Sequence, residues 1–168
     1  RGTMEALLAT PLSALEIVIG KLVPDFVLGM ASMAVCPAVA IFLYGIPFRG
    51  SLAALGVVSA AVLLTAVGLG VVISTVTRNQ FRASQAALVS AFLPAFILSG
   101  FIFEIASMPW LIRMLTRIIP ARYFVTNLQT LFLAGDIWAL FKPNVLILLV
   151  IAGVLFALTL KKTPSRLE

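Results

Sequence analysis

Few groups in this chain could bear acid–base, nucleophilic or metal chemistry. Its 168 residues include six carboxylates, twelve cationic side chains, one cysteine and no histidine. Without imidazole there is no His-ligated zinc, no haem on a proximal His and no His general base. A single Cys36 forbids an intrachain disulfide and a Cys-rich metal site. Its place inside a long apolar run reads as a small buried hydrophobe rather than a reactive thiol. Ser32, Ser59, Ser74, Ser90 and Ser99 have no His or in-span Lys to take a proton, so they are expected to bond back to their own helices or to pack. Gly20-Lys21 is the one Gly-Lys pair, yet Leu15 stands where the first glycine of a nucleotide-binding loop belongs, and Leu22 where Ser or Thr belongs. The chain therefore reads as no enzyme: no catalytic, cofactor-binding or metal-binding residue is predicted, and any nucleotide motor is another polypeptide.

What the chain does carry is apolar length. The hydrophobic set makes up 62% and the charged set 11%, less than half of the roughly 25% charge of soluble domains; mean hydropathy is +1.17. Charge-free runs of 23, 28, 21 and 18 residues lie after Asp25, Arg49, Arg82 and Lys142. A bilayer core of ~30 Å takes about 20 helical residues, and runs apolar on every side suit helices better than barrel strands. The expected fold class is all-α, a polytopic helical membrane protein with spans at about 22–46, 52–76, 83–103 and 143–160. Asp25 and Glu104 stand at span ends where water reaches them, so ion-gradient coupling through an intramembrane carboxylate is not expected. Pro24, Pro37 and Pro94 should kink or break their helices. The small residues Gly56, Ala60, Ala34, Ala38, Gly68 and Gly70 would let helices approach closely, within the chain or at a dimer seam.

Four spans put both ends on one side. Seven basic residues (Arg1, Lys21, Arg78, Arg82, Lys161, Lys162, Arg166) share that side, against five opposite (Arg49, Arg113, Arg117, Arg122, Lys142). This bias, with a dense short loop at Arg78 and Arg82, places the termini in the cytoplasm. Tyr44, Trp110, Tyr123 and Trp138 then form one outer aromatic belt. The scattered cations suit lipid headgroups and no nucleic acid. The start at Arg1 and the final Leu167-Glu168 read as the ends of a fragment, so part of the natural protein is expected to be missing.

Two segments position the rest. Residues 104–142 form an outer segment: 109–119 has a helical apolar face, started by Ser107 and Pro109 and ended by Pro120. Tyr123 to Ala134 is too short to cross, and Asp136 is expected to cap a short turn leading to Lys142-Pro143. Two readings stand side by side: helices lying on the outer leaflet, or a dipping hairpin that closes a pathway. At the other end, residues 3–9 form a short amphipathic helix with Met4, Leu7 and Leu8 on one face. Thr10-Pro11 fixes a corner, and Ser13 to Glu16 with Leu12 and Ile17 gives a capping box and staple. Lys21 and Asp25 have pairing distance at i,i+4. This entry reads either as an interfacial anchor or as a rigid lever docked to a cytoplasmic partner.

The stretch Arg1-Gly2-Thr3-Met4-Glu5-Ala6-Leu7-Leu8-Ala9-Thr10-Pro11-Leu12-Ser13, continuing to Glu16 and Gly20-Lys21, resembles the cytoplasmic coupling segment of the membrane subunits of ABC type-2 exporters. Leu98-Ser99-Gly100-Phe101-Ile102-Phe103, then Ser107-Met108-Pro109, then Pro120-Ala121-Arg122-Tyr123-Phe124, is similar to their outer-side signature. The resemblance covers nearly the whole chain and names no substrate. It implies six spans in the whole protein, with the four seen here as the third to sixth. Residues 1–20 would be the coupling helix and lead-in, 21–160 the transmembrane domain with a re-entrant segment at 104–142, and 161–168 a cytoplasmic tail. It further implies that Glu5, Leu8, Thr10 and Pro11 touch an ABC ATPase subunit that holds ATP and Mg, with no cofactor on this chain. Phe101, Phe103 and Pro109 would border an outer gate. A second permease chain, identical or not, would complete the pathway in the membrane lipid of a bacterial inner membrane. The function so implied is ATP-driven export of a hydrophobic or amphipathic molecule; the other classes open to this sequence are a non-transporting scaffold or sensor and a small pore-forming oligomer.

Overall fold

The computed structural model describes residues 14–77 and 79–162. The candidate ATPase contacts Glu5, Leu8, Thr10 and Pro11, the capping box at Ser13, the side chain of Lys21, Arg78 and the tail 163–168 lie outside the described residues. What is described is all-helical. Helix α1 is Ala14–Phe42 and α2 Leu52–Thr77. A third span is built from α3 (Gln80–Ala87), a π turn (Leu88–Phe92) and α4 (Leu93–Leu98). There follow a 3₁₀ turn (Ile105–Ser107), α5 (Trp110–Leu115), a second 3₁₀ turn (Thr116–Ile118), α6 (Pro120–Leu133) and α7 (Trp138–Lys162). Four stretches are long and apolar enough to cross a bilayer: Leu22–Phe42, Leu52–Thr77, Gln80–Leu98 and Trp138–Lys161.

Helix α2 is the centre of the bundle because its small and branched residues fall at helical spacing on one buried face: Ala54, Leu55, Val58, Ala61, Thr65 and Gly68. That face meets Val145, Leu148 and Ala152 of α7 and Leu131 of α6. A Cβ on Gly68 of α2 would stand 3.3 Å from Leu155 Cβ of α7, so glycine permits the close helix approach there. Gly56 and Gly70, read from sequence as equally suited to close packing, have no atom within 4 Å of such a Cβ. Thr65 Oγ1 donates to its own Ala61 carbonyl at 2.9 Å and to Leu148 O of α7 at 3.0 Å, tying the two spans by a hydrogen bond that lipid cannot replace.

The first span ends at Phe42 rather than 46, and the third and fourth also depart from their expected bounds. The third span begins at Gln80 rather than 83 because Asn79, in extended conformation, accepts the Phe81 N–H on its side chain at 3.0 Å. It ends at Leu98 rather than 103 because Gly100 takes φ +88 and turns the chain out of the helix. Phe101 and Phe103 therefore belong to the connector, not the span. The last span begins at Trp138, before Lys142-Pro143. Pro143 is near enough to the helix start that one missing donor is tolerated. Pro24 and Pro37 sit within an uninterrupted α1. At Pro94 the expected break takes the form of the preceding π turn, where Leu93 N–H reaches back to Leu88 O and the widened turn makes room for the ring. Pro120, expected to close one helix, also opens the next as the first residue of α6.

Within residues 104–142 the two helices differ in burial. Helix α6 buries Asn127 and Leu131 and lays Tyr123, Phe124 and Leu128 against the core. At 14 residues it is about 21 Å long, too short to cross. Helix α5 buries nothing and stays on the surface.

Candidate functional site

A cleft of about 690 Å³ opens between α1 and the first turns of α2, lined by residues such as Met30, Met33, Pro37, Phe48, Leu55 and Gly56. A second cavity of about 350 Å³ shares Met33, Pro37, Leu55 and Ser59 with it and reaches Phe124, Leu128 and Phe132 of α6. Neither lining includes a charged residue. The thioethers and aliphatic walls are deformable, and a space of this size suits a drug-sized or acyl-chain-sized apolar body. Ser59 is the polar group common to both linings and is itself buried. Cys36 corrects its sequence reading: it is exposed on α1 and borders the smaller cavity, because α1 has no buried residue in the windows that cross the bundle. Four of the five span serines bond back or pack as expected, whereas Ser74 is exposed. Ser32 Oγ donates to Leu28 O at 3.0 Å and Ser90 Oγ to Ala86 O, while Ser99 is buried beside the Gly100 turn. No group of three or more metal-ligating side chains occurs among the described residues.

The cleft is bounded at one end by the loop 43–51, which is clamped to the end of α6. Arg49 Nη1 donates to Leu133 O at 3.3 Å, and Ser51 N–H donates to Asp136 Oδ1 at 2.8 Å. Ser51 Oγ in turn accepts from Ala54 N–H, so the start of α2 is capped by its own serine and by an aspartate from the far end of the chain. Asp136 thus caps α2, not the short turn it was expected to cap. Phe48 and Phe132 meet edge to face at 5.0 Å across the same junction. Asn144 of α7 donates to Asn127 Oδ1 of α6 at 3.2 Å, leaving the buried Asn127 amide nitrogen without a partner.

Phe101, Phe103 and Pro109 lie on one connector between α4 and α5. Phe101 is 70% and Phe103 55% exposed, and Pro109 precedes the first residue of α5. Around them the backbone is stitched by arginines: Arg113 Nη2 donates to Ala106 O at 2.6 Å, and Arg122 Nη1 to Thr116 Oγ1 at 2.6 Å. Sequence reasoning passed over Asn127 and Thr65 and counted Arg49 only as a charge. Of these, the polar Asn127 within a charge-free 12-residue run was the one visible signal.

Four membrane-length helices, with a short helix packed against them from one end and a charge-free cleft between two of them, define a polytopic helical membrane domain. The chain belongs to the ABC-2 family transporter proteins, whose family profile matches residues 1–161. It is 52% identical over its whole length to the "Probable multidrug ABC transporter permease YbhS" of Escherichia coli K12, covering 45% of that protein. It is 34% identical to "Probable multidrug ABC transporter permease YbhR" of the same strain over 79% of this chain and 36% of that one. It is 26% identical to "Inner membrane transport permease YhhJ" over 95% of this chain and 42% of that one. The chain thus spans less than half the length of these relatives. No solved structure matches.

Proposed function

We propose that this chain is the membrane-spanning part of a permease subunit in an ATP-driven exporter that moves a hydrophobic or amphipathic molecule, drug or lipid-like, out of the cytoplasm or the inner leaflet. The observation that carries the substrate class is the charge-free, Met-lined cleft between α1 and α2, adjoining a second apolar cavity under α6. A solute with a large apolar part gains by leaving water or lipid for such a wall, whereas an ion would find nothing to replace its hydration. The family and the names of its relatives support the permease role.

ATP and Mg belong to a separate ATPase subunit, gripped by residues 1–20 through Glu5, Leu8, Thr10 and Pro11, and a second permease chain completes the pathway. Phe101, Phe103 and Pro109 border the outer gate, with both termini cytoplasmic in a bacterial inner membrane. Closure of the motors moves the coupling segment, and the attached spans transmit that movement to the cleft.

Gly56 supplies the test. It lines the cleft and an added Cβ meets nothing within 4 Å, so Gly56→Leu fills the cleft without a backbone clash and with a gain in helix propensity. In the full-length permease reconstituted with its ATPase, this variant is expected to lower transport of lipophilic dye by tenfold or more, about the 1.4 kcal/mol per decade that excluding a bound apolar group implies. Unaltered transport by the folded variant removes the cleft from the pathway. Dye flux without ATP replaces the exporter by a pore, and absence of substrate-stimulated ATP hydrolysis replaces it by a scaffold.

A further inference from the structure

The segment from the end of α4 through the first turn of α6 contains Arg113, Arg117 and Arg122, and no Asp or Glu occurs from residue 105 to residue 135. The hydrogen bonds of these arginines run to uncharged oxygens. Arg113 uses Nη2 on the carbonyls of Ala106 at 2.6 Å and Met108 at 3.3 Å; Arg122 uses Nη1 on Thr116 Oγ1 and, at 3.4 Å, on Arg113 O. A guanidinium has five N–H donors. One nitrogen of each is therefore anchored to the fold while the others remain available in a fixed orientation. The Arg117 guanidinium makes no hydrogen bond among the described residues. Among these cations stand Trp110, Leu111, Leu115 and Ile118, exposed by 69, 68, 57 and 73%. The segment hangs from the ends of α4 and α6, at the same end of the bundle as the loop 43–51 and Trp138, where the spans leave the bilayer core.

We infer that this segment is a binding surface for an anionic phospholipid, with α5 set into the acyl boundary and the arginines holding the phosphate. An exposed apolar face flanked by cations is the composition of a helix that lies in a membrane interface. A protein partner would be met by mixed charge, but 31 residues without a carboxylate leave only anions complementary. The forked geometry of Arg takes two phosphate oxygens at once, which the ammonium of Lys cannot do. The inference rests on the membrane placement of the four spans and is independent of what the cleft carries.

The experiment titrates a fluorescent short-chain phosphatidylglycerol, and its phosphatidylcholine counterpart, onto the full-length permease in nonionic detergent. The native protein is expected to prefer the anionic lipid, and Arg117→Gln to raise its Kd about fivefold, the contribution of one cation at an anionic surface. Arg117→Lys, which keeps the charge but not the fork, should recover only part of that loss. The Arg113→Gln/Arg117→Gln/Arg122→Gln triple variant should lose the preference. Because the Arg117 guanidinium makes no hydrogen bond among the described residues, Arg117→Gln is expected to keep an unchanged melting temperature and so to separate charge from folding. Equal affinity of the native protein for both lipids, an unchanged Kd in Arg117→Gln, or a preference that survives in the triple variant overturns the inference. Displacement of the lipid by equimolar inorganic phosphate overturns it too, since a lipid site needs the acyl contacts of α5.

Discussion

Asp136 Oδ1 accepts a hydrogen bond at 2.8 Å from the main-chain N–H of Ser51, a residue 85 positions earlier in the chain. The first turn of any helix leaves N–H groups without intrahelical partners, and in a membrane bundle water is not freely available to them. Here the acceptor comes from the turn that follows α6, so one side chain caps the central span and fixes the short helix to it. Asp136→Ala is expected to cost about 1 kcal/mol and to lower the melting temperature of the purified permease by a few degrees. Asp136→Asn, which keeps an acceptor oxygen but not the charge opposite the helix dipole, should recover the greater part. Equal melting of Asp136→Ala and native protein would show that the cap contributes nothing.

The same junction depends on two glycines. Gly135 has φ +91, and a Cβ there would stand 3.2 Å from Arg49 O; at Gly50 it would stand 2.7 Å from Leu131 Cδ2 and 3.0 Å from the Leu131 carbonyl. Gly135→Ala forces an L-residue into the left-handed region and should destabilise by about 1–3 kcal/mol. Gly153→Ala, inside α7 with no atom within 4 Å of the new Cβ, should instead stabilise by about 0.5–1 kcal/mol. Thermal unfolding of the two variants side by side checks the opposite signs.

Asn127 and Asn144 give a coupled case. Asn144 donates to Asn127 Oδ1 at 3.2 Å, and the Asn127 nitrogen is buried without a partner. Either single change to Leu leaves the other amide short of its bond and is expected to destabilise by about 1–3 kcal/mol, whereas replacing both removes the orphaned groups together. The double variant should be more stable than the sum of the singles by at least ~0.5 kcal/mol in a double-mutant cycle. Additive singles would mean that the two amides act independently.

The spans were legible because their signal is one of composition: a bilayer-length run without charge is helical almost regardless of detail, and the four runs found in the sequence are the four helices of the structure. Their ends were less so, since each is set by a cap or a left-handed glycine whose effect is conformational. Asn79 and Gly100 move the third span by several residues without altering its apolar pattern. The cleft was not legible at all. It arises from Pro37, Gly56 and Leu55 on two different helices, and no periodicity within either one announces what stands opposite. Asp136 shows the intermediate case: its residue type marked a cap, but the capped helix lies 85 residues away and only the fold could name it.

Cys36 offers a direct reading of the cleft's occupancy. It is exposed on α1 and borders the cavity that shares Met33, Pro37, Leu55 and Ser59 with the larger space. A charged reagent must give up hydration to reach a wall without charge, whereas an uncharged lipophilic one partitions into it. Accordingly, a charged maleimide should label Cys36 at least tenfold more slowly than an uncharged lipophilic one, a difference of about 1.4 kcal/mol in barrier. A lipophilic transport substrate that enters the cleft should then protect Cys36 from the lipophilic reagent, and Gly56→Leu, by occupying the same space, should abolish the protection. Peptide mass spectrometry reports the modification at this residue alone, whatever other cysteines the full-length protein contains. Rapid labelling by the charged reagent would mean that the cleft holds water, and protection that persists in Gly56→Leu would place the substrate elsewhere.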